Sequence, residues 1–214
     1  PAALVVTSAL STGTRAVPPK YRTESNTYHV GRYRRRNKRL SMNIGQIIKC
    51  DVANGPGIRL SLFVSGCTNH CKGCFQPQTW DFTYGIPYDN NTQQEIINEL
   101  KRPFYDGITI LGGEPFEPAN QEVLVTLIRR IRSELPGKTI WMYTGFIYDK
   151  DLIPGGRRYT AATDEILDNI DILVDGPYVE ELRNITLKFR GSENQRILDM
   201  KKTRAAGKIT LAQL

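Results

Sequence analysis

The sequence predicts an α/β protein in which short buried strands alternate with amphipathic helices. Apolar runs typical of buried strands lie at 60–64, 107–111, 139–143 and 170–174, and a fifth strand is expected at 185–189. Such alternation implies parallel strands joined by right-handed crossovers. The chain is shorter than the roughly 250 residues of a full eightfold barrel. We therefore expect an open, partial (β/α) barrel.

Two helices are predicted between these strands. The capping-box pattern Thr92-Gln93-Gln94-Glu95 marks the start of the first, which ends near Pro103. Apolar residues then recur at helical spacing from 124 to 135, and Pro136-Gly137 ends the second helix.

Four distinctive turns each follow a predicted strand. They contain the cysteines at 67–74, Gly-Gly-Glu-Pro at 112–115, Thr-Gly at 144–145 and Asp-Gly-Pro at 175–177. The carboxyl ends of parallel strands share one edge of the sheet, where α/β proteins bind their ligands. We expect the functional site at that edge.

Charge divides the chain into two parts. Of the 29 Lys and Arg residues, nine lie in residues 1–41, which contain only one acidic residue. The net charge of that segment is therefore +8, and that of the remaining residues is −1. Rich in Ser, Thr and Arg, residues 1–41 are expected to be a disordered basic extension, and 42–214 the folded domain. The extension fits four origins: an artificial or gene-model addition, a transit segment, a nucleic-acid arm built on 32–39, or a solvated tail.

Several classes of function are disfavoured by composition. The near-neutral body has no basic surplus for nucleic acid. No apolar run approaches the roughly 20 residues needed to span a bilayer, so no membrane association is expected. Four cysteines are too few for a secreted disulfide scaffold, and a cytoplasmic location is expected.

Three cysteines cluster as Cys67-x3-Cys71-x2-Cys74. These unequal spacers differ from the paired motifs of zinc ribbons and suit a loop around one iron–sulfur cube, in which three thiolates leave one iron open. A Cys₃His zinc site that includes His70 is the alternative. Cys50, 17 residues upstream, is expected to be a buried or free thiol rather than a fourth ligand.

The cysteine motif after a first strand resembles the signature of radical S-adenosylmethionine enzymes. Further segments, in order, resemble the activating proteins of anaerobic (class III) ribonucleoside-triphosphate reductases, and the resemblance covers about residues 42–200. These segments are Asn54–Arg59, Gly112–Pro115, Trp141–Gly145, Val174–Tyr178 and Phe189–Arg196.

The resemblance implies two cofactors. A [4Fe-4S] cluster would be held by Cys67, Cys71 and Cys74. S-adenosylmethionine would lie against two short segments, with no catalytic side chain required beyond the cofactors. The segments comprise Gly73, Cys74 and Phe75, and Gly112, Gly113 and Glu114.

The implied activity is an oxidoreductase reaction. Reductive cleavage of S-adenosylmethionine would give a 5′-deoxyadenosyl radical, which would generate a glycyl radical on the reductase. The electron would come from a low-potential donor such as flavodoxin or ferredoxin. Two other functions stay open: activation of a different glycyl-radical enzyme of the pyruvate formate-lyase type, and a zinc-stabilised nucleic-acid-binding module.

Overall fold

The computed structural model describes residues 42–213, which form a mixed α/β fold with one seven-stranded sheet. The predicted basic extension, 1–41, lies outside the described residues. The strands are β1 (Asn43–Asp51), β2 (Arg59–Val64), β3 (Ile86–Pro87), β4 (Gly107–Gly112), β5 (Thr139–Tyr143), β6 (Ile172–Asp175) and β7 (Arg196–Asp199). The helices are α1 (Asn90–Leu100), α2 (Pro118–Glu134), α3 (Tyr148–Asp151), α4 (Thr163–Asn169) and α5 (Met200–Ala206).

The sheet is parallel in its centre and antiparallel at both edges. Its strand order is β3-β1-β2-β4-β5-β6-β7. Strands β2, β4, β5 and β6 are parallel neighbours, whereas β1, β3 and β7 pair antiparallel. The predicted α/β class is confirmed, and the parallel centre is the part that the buried apolar runs predicted.

One predicted strand is wrong. Residues 185–189 form turns, and Ile185 is 87% exposed. The last strand is instead β7, in which Arg196 pairs with Asp175 and Ile197 with Val174. The alternating run at 185–189 resembles a strand locally, but β7 occupies the free edge of β6. Strand β1 was also missed, because Gly45, Gln46 and Lys49 interrupt its apolar pattern.

The two faces of the sheet are covered differently. Side chains alternate between faces along a strand, and Leu62, Ile110 and Met142 belong to the main core together with residues of the helices. We call the opposite side the inner face. Its side chains include Ser61, Phe63, Thr109, Leu111, Trp141, Tyr143 and Val174.

Loops cover the inner face. The Tyr143 hydroxyl donates to the Phe189 carbonyl at 2.9 Å, and the rings of Trp141 and Phe189 meet edge to face at 5.5 Å. On the other side Thr109 Oγ1 donates to the Asn54 carbonyl at 2.8 Å. The segments around residues 54 and 189 therefore form walls above the sheet.

A buried arginine anchors the first of these walls. Arg59 is fully buried, and its guanidinium donates to Thr109 Oγ1 at 2.7 Å and to the Ile108 carbonyl at 2.6 Å. Burial lowers the pKa of Arg59 to about 10. Because Thr109 passes a hydrogen bond on to Asn54, Arg59 fixes the loop that connects β1 with β2.

The predicted helix α1 begins earlier than its capping box suggests. Its N-cap is Asp89, whose Oδ1 accepts from Thr92 N at 2.8 Å and from Thr92 Oγ1 at 3.1 Å. Glu95 is exposed. Among residues 42–213, no helix has both the length and the apolar character that a bilayer span requires.

This assignment of the cap can be tested with two variants. Asp89→Ala should lower the free energy of unfolding by about 1 kcal/mol, because it leaves amide donors of the first turn unpaired. The matched variant Glu95→Ala should change it by less than about 0.5 kcal/mol. Urea denaturation would measure both free energies of unfolding. A larger loss of stability in Glu95→Ala would show that the Thr92–Glu95 capping box, and not Asp89, caps the helix.

Candidate metal and cofactor site

A cavity of about 400 Å³ lies at the carboxyl edge of the parallel strands. Residues that follow β2, β4, β5 and β6 all line it, so the convergence of these four turns predicted from the sequence is confirmed. Its walls include Cys67, Cys71, Cys74, Phe75, Gly112, Gly113, Glu114, Thr144, Gly145 and Gly176.

The structure brings seven of the eight predicted site residues to this cavity. Gly73 is the exception and packs behind it. Gly73 has φ +76°, and a Cβ there would come within 2.2 Å of Glu180 Oε2 and 3.3 Å of the Tyr178 ring. Its lack of a side chain is therefore explained by close packing of the cysteine loop, residues 67–74, against the segment that follows β6.

Cys50 lies apart from the cavity. Its backbone N–H donates to the Tyr105 hydroxyl at 3.3 Å, and its thiol lies 3.7 Å from the same oxygen. The residue is an exposed free cysteine, which agrees with the free thiol of the two expected alternatives and not with the buried one. Tyr105 precedes β4, at the strand end opposite to the cavity.

Main-chain hydrogen bonds hold the start of the cysteine loop. Gly66 N donates to the Thr79 carbonyl at 2.8 Å, and Cys67 N donates to the Trp80 carbonyl at 3.2 Å. Gly66 has φ +93°, and a Cβ there would lie 2.3 Å from the Phe82 ring. The loop is thus fixed by backbone contacts that do not involve the thiols.

Burial disfavours ionisation of two of the thiols. It raises the pKa of Cys67 to about 12 and also raises the pKa of Cys71. Iron and zinc bind the thiolate, and a nearby cation favours that form. The three soft sulfur donors therefore fit a metal cluster, whose positive charge would favour the thiolate form.

The thiols are not arranged for a single metal ion. Within residues 42–213, no three His, Cys, Asp or Glu side chains converge at the distances one ion requires. The His70 ring stacks on Trp80, with ring centroids 4.6 Å apart. The Cys₃His zinc site considered from the sequence is thus not assembled in this part of the chain.

Glu114 connects three loops around the cavity. Its carboxylate is fully buried and accepts from Phe116 N (2.8 Å), Thr144 Oγ1 (2.8 Å), Gly145 N (2.8 Å) and Asn69 Nδ2 (3.2 Å). Burial raises the pKa of Glu114 to about 7, since desolvation outweighs these donors. The side chain thereby ties its own turn to the cysteine loop and to the turn after β5.

The two glycines before Glu114 permit a close approach of main chains. A Cβ on Gly113 would lie 2.7 Å from the Gly66 carbonyl oxygen and 2.8 Å from the Thr79 oxygen. A Cβ on Gly112, which has φ +109°, would lie 2.7 Å from Val64 N. Close packing against the end of β2, and against Gly66 directly before the cysteine loop, is sufficient to require glycine at both positions.

A second buried carboxylate, that of Glu117, also holds the cysteine loop. The sequence analysis did not predict this role. Glu117 Oε1 accepts from Thr68 N at 2.9 Å and from Thr68 Oγ1 at 2.6 Å. Arg158 Nη1 lies 3.5 Å from Glu117 Oε2. Glu117 directly precedes α2. The only signal in the sequence for its contact with the cysteine loop is its position three residues after Glu114.

The segment 194–196 clamps the turn after β6. Asn194 Nδ2 donates to the Pro177 carbonyl at 2.7 Å, and Gln195 Nε2 donates to the Gly176 carbonyl at 3.2 Å. Arg196 Nε donates to Asp175 Oδ1 at 2.9 Å. These contacts stabilise the turn that contains the cavity-lining Gly176, and Gln195 itself also lines the cavity.

Comparisons with known proteins agree with this geometry. A family model described as a 4Fe-4S single cluster domain matches residues 53–198. The anaerobic ribonucleoside-triphosphate reductase-activating protein of Escherichia coli K12 is 40% identical over 156 residues, which cover 72% of this chain and 96% of the relative. The chain belongs to the family of anaerobic ribonucleoside-triphosphate reductase-activating proteins.

Two further relatives carry the same name. The protein of Haemophilus influenzae is 41% identical over 156 residues, covering 72% of this chain and 96% of the relative. That of Enterobacteria phage T4 is 35% identical over 158 residues, covering 73% and 93%. The family resemblance inferred from the ordered motifs is confirmed, and the cluster-domain match includes every predicted site residue.

The role of Glu114 in this activating-protein fold can be tested by Glu114→Gln. The amide would turn an NH₂ group towards buried donors, so the free energy of unfolding should fall by about 1–3 kcal/mol. Glu122→Gln, an exposed site on α2, is the matched control and should be nearly neutral. Chemical denaturation of the metal-free protein is the measurement. Equal stability of the two variants would contradict the bracing role.

Proposed function

We propose that this protein activates an anaerobic ribonucleoside-triphosphate reductase by generating a glycyl radical on it. The observation that carries the proposal is one cavity lined by three clustered thiols and by the Gly112–Glu114 turn. When bound, a [4Fe-4S] cluster supplies the electron for reductive cleavage of S-adenosylmethionine, the reaction that produces the radical stored on the reductase.

Cys67, Cys71 and Cys74 are the proposed cluster ligands. Three thiolates leave one iron of a cube without a protein ligand, and the amino and carboxylate groups of S-adenosylmethionine would occupy it. The carbonyls of Gly112 and Gly113 are proposed to accept from the amino group. The segment 73–75 is proposed to contact the adenine.

The protein also shields the reacting groups. Loops around Asn54 and Phe189 cover the inner face of the sheet, which supports an open, partial barrel of the radical S-adenosylmethionine type that surrounds the cavity. A reactive radical must be kept from water and other hydrogen donors. Arg59 serves this purpose indirectly, since it holds the Asn54 wall in place.

The reductase is proposed to enter beside two exposed apolar side chains. Phe75 lines the cavity yet is 80% exposed, and Ile185, two residues before the cavity-lining Leu187, is 87% exposed. Exposed apolar side chains beside a functional cavity are typical of a docking site. The electron donor is proposed to be a low-potential flavodoxin or ferredoxin, and the location the cytoplasm.

The names of the relatives favour the reductase over a target of the pyruvate formate-lyase type. One experiment separates them. The protein would be reconstituted anaerobically with iron and sulfide, reduced, and mixed with S-adenosylmethionine and each purified target. We expect 5′-deoxyadenosine and an electron paramagnetic resonance (EPR) signal of a glycyl radical on the reductase. A signal on the formate-lyase alone would refute the proposal, and stoichiometric zinc without iron would favour the nucleic-acid-binding module.

The ligand set predicts a clear division among the four cysteines. Cys67→Ala, Cys71→Ala and Cys74→Ala should each lose the cluster, because two thiolates hold a cube poorly. Cys50→Ala, remote from the cavity, is the matched control and should retain it. Iron and sulfide analysis after anaerobic reconstitution measures both. Loss of the cluster in Cys50→Ala would show that the proposed ligand set is wrong.

The docking site predicts separable effects on two activities. Ile185→Asp should raise the KM for the reductase at least about tenfold, since a charge would be buried in the complex. Reductive formation of 5′-deoxyadenosine without the reductase should stay unchanged. Ile86→Asp, 60% exposed on β3 at the other edge of the sheet, is the control. An unchanged KM for the reductase in Ile185→Asp would show that the loop containing Ile185 is not part of the docking site.

A further inference from the structure

One positively charged side chain lines the cavity at the carboxyl edge of the sheet. Arg190 belongs to its wall, and among residues 42–213 no Lys, His or other Arg does so. The three clustered thiols and the carboxyl group of Glu114 line the same cavity. A single guanidinium among neutral and acidic groups is suited to bind an oxygen acceptor of a ligand, because hydrogen bonds from a charged donor are stronger than those between neutral groups.

Most donors of this guanidinium are left for a ligand. Nη1 of Arg190 donates to the Gln195 carbonyl at 2.7 Å, and its guanidinium forms no other hydrogen bond within residues 42–213. The nearby Arg196 pairs with Asp175, whereas in the part of the chain that the structure describes no carboxylate lies within ion-pair distance of Arg190. A guanidinium carries five N–H donors and stays charged. Arg190 can therefore bind a ligand without giving up an ion pair.

Arg190 belongs to the loop that carries the proposed docking side chain. An antiparallel bridge joins Arg183 to Ser192, so the two ends of this loop, residues 183–192, meet. Within it Ile185 is 87% exposed, whereas Arg190 is half-buried and lines the cavity. The loop therefore connects the surface where the reductase is proposed to enter with the wall of the cavity.

The backbone directly before Arg190 is fixed on the sheet. Phe189 has φ +55°, a left-handed conformation that residues other than glycine adopt rarely. Its carbonyl accepts from the Tyr143 hydroxyl at 2.9 Å, and its ring meets that of Trp141 edge to face at 5.5 Å. These contacts with β5 hold the main chain from which the Arg190 side chain starts.

The chemistry of the proposed substrate limits how it can be recognised. The residue that receives the radical is a glycine, which has no side chain. Close to that residue the reductase offers main-chain carbonyl and N–H groups, which every residue except proline carries. A carbonyl oxygen needs a hydrogen-bond donor, and the forked N–H groups of a guanidinium provide several in one plane. Arg190 is the charged donor of the cavity that meets this requirement.

We propose that Arg190 is a substrate-binding residue whose guanidinium donates to main-chain carbonyls of the reductase segment that contains the target glycine. The inference rests on the proposed function, since the reductase must be the substrate. It names a group that recognises this substrate inside the cavity, whereas Ile185 acts at the surface. The carboxylate of S-adenosylmethionine is the competing acceptor. The position of Arg190 on the docking loop favours the reductase, and binding measurements separate the two.

Binding without turnover is the first test. Arg190→Gln removes the charge and most of the donors. The matched control is Arg183→Gln, because Arg183 lies in the same loop with a side chain that is 60% exposed. The Kd for the purified reductase would be measured by isothermal titration calorimetry with the reconstituted, unreduced protein, and the Kd for S-adenosylmethionine would be measured in the same way.

We expect Arg190→Gln to raise the Kd for the reductase at least about tenfold, because hydrogen bonds from a charged group are lost. The Kd for S-adenosylmethionine should stay unchanged. A Kd for the reductase equal to that of Arg183→Gln would overturn the proposal. An effect confined to the Kd for S-adenosylmethionine would also overturn it and would assign the guanidinium to that carboxylate.

A milder variant decides if Arg190→Gln does not fold, since Arg190 also bonds to the Gln195 carbonyl. Arg190→Lys keeps the charge and loses the planar fork. In the reduced protein we expect fewer glycyl radicals per 5′-deoxyadenosine than in the wild type, measured by EPR and chromatography. The rate of 5′-deoxyadenosine formation without the reductase should stay unchanged. An unchanged ratio of radical to 5′-deoxyadenosine would overturn the proposal.

The two measurements also separate this inference from the proposed function. A wild-type protein that binds the reductase but never forms a glycyl radical on it would refute the proposed function. Normal radical formation by the wild type, together with a Kd for the reductase that Arg190→Gln leaves unchanged, would refute the inference alone.

Discussion

The buried carboxylate of Glu114 is the interaction on which the site depends. It accepts four hydrogen bonds from three different loops, and removing it would leave those donors without a partner inside the protein. An unpaired buried donor costs about 1–3 kcal/mol. This cost makes the arrangement of the cysteine loop, the Gly-Gly turn and the turn after β5 a single unit instead of three independent loops.

The difference between the two faces of the sheet also constrains the position of the loops around the cavity. One face buries the main core under the helices, and the other is left to loops that are held by single polar contacts. Burial of Arg59 opposes folding, because its charged guanidinium is removed from water and its acceptors are neutral. The buried guanidinium lies where it fixes the Asn54 loop, which forms a wall of the cavity. A purely apolar inner face would pack well but would not define the position of that loop.

The sequence was informative where the signal is local. Apolar runs predicted the parallel strands, and the cysteine spacing with the turns after each strand predicted which residues meet. The functions of Glu114 and Gln195 depend on partners 19 to 45 residues away, which no local pattern contains. The same limitation explains the false strand at 185–189, because the competition between that run and β7 for the edge of β6 is decided by tertiary contacts.

The contacts that position the cysteine loop are independent of its thiols. The cysteine loop is held through Gly66, Thr68 and Asn69, and none of these bonds uses a thiol. In a zinc finger the metal organises the fold, whereas the contacts that hold this loop are complete without a metal ligand. Burial raises the pKa of Cys67 to about 12, and a nearby metal cation would favour the thiolate instead. The polar contacts of the loop and the chemistry of the thiols are therefore separate: the first position the cysteines, and the second suits them to a metal.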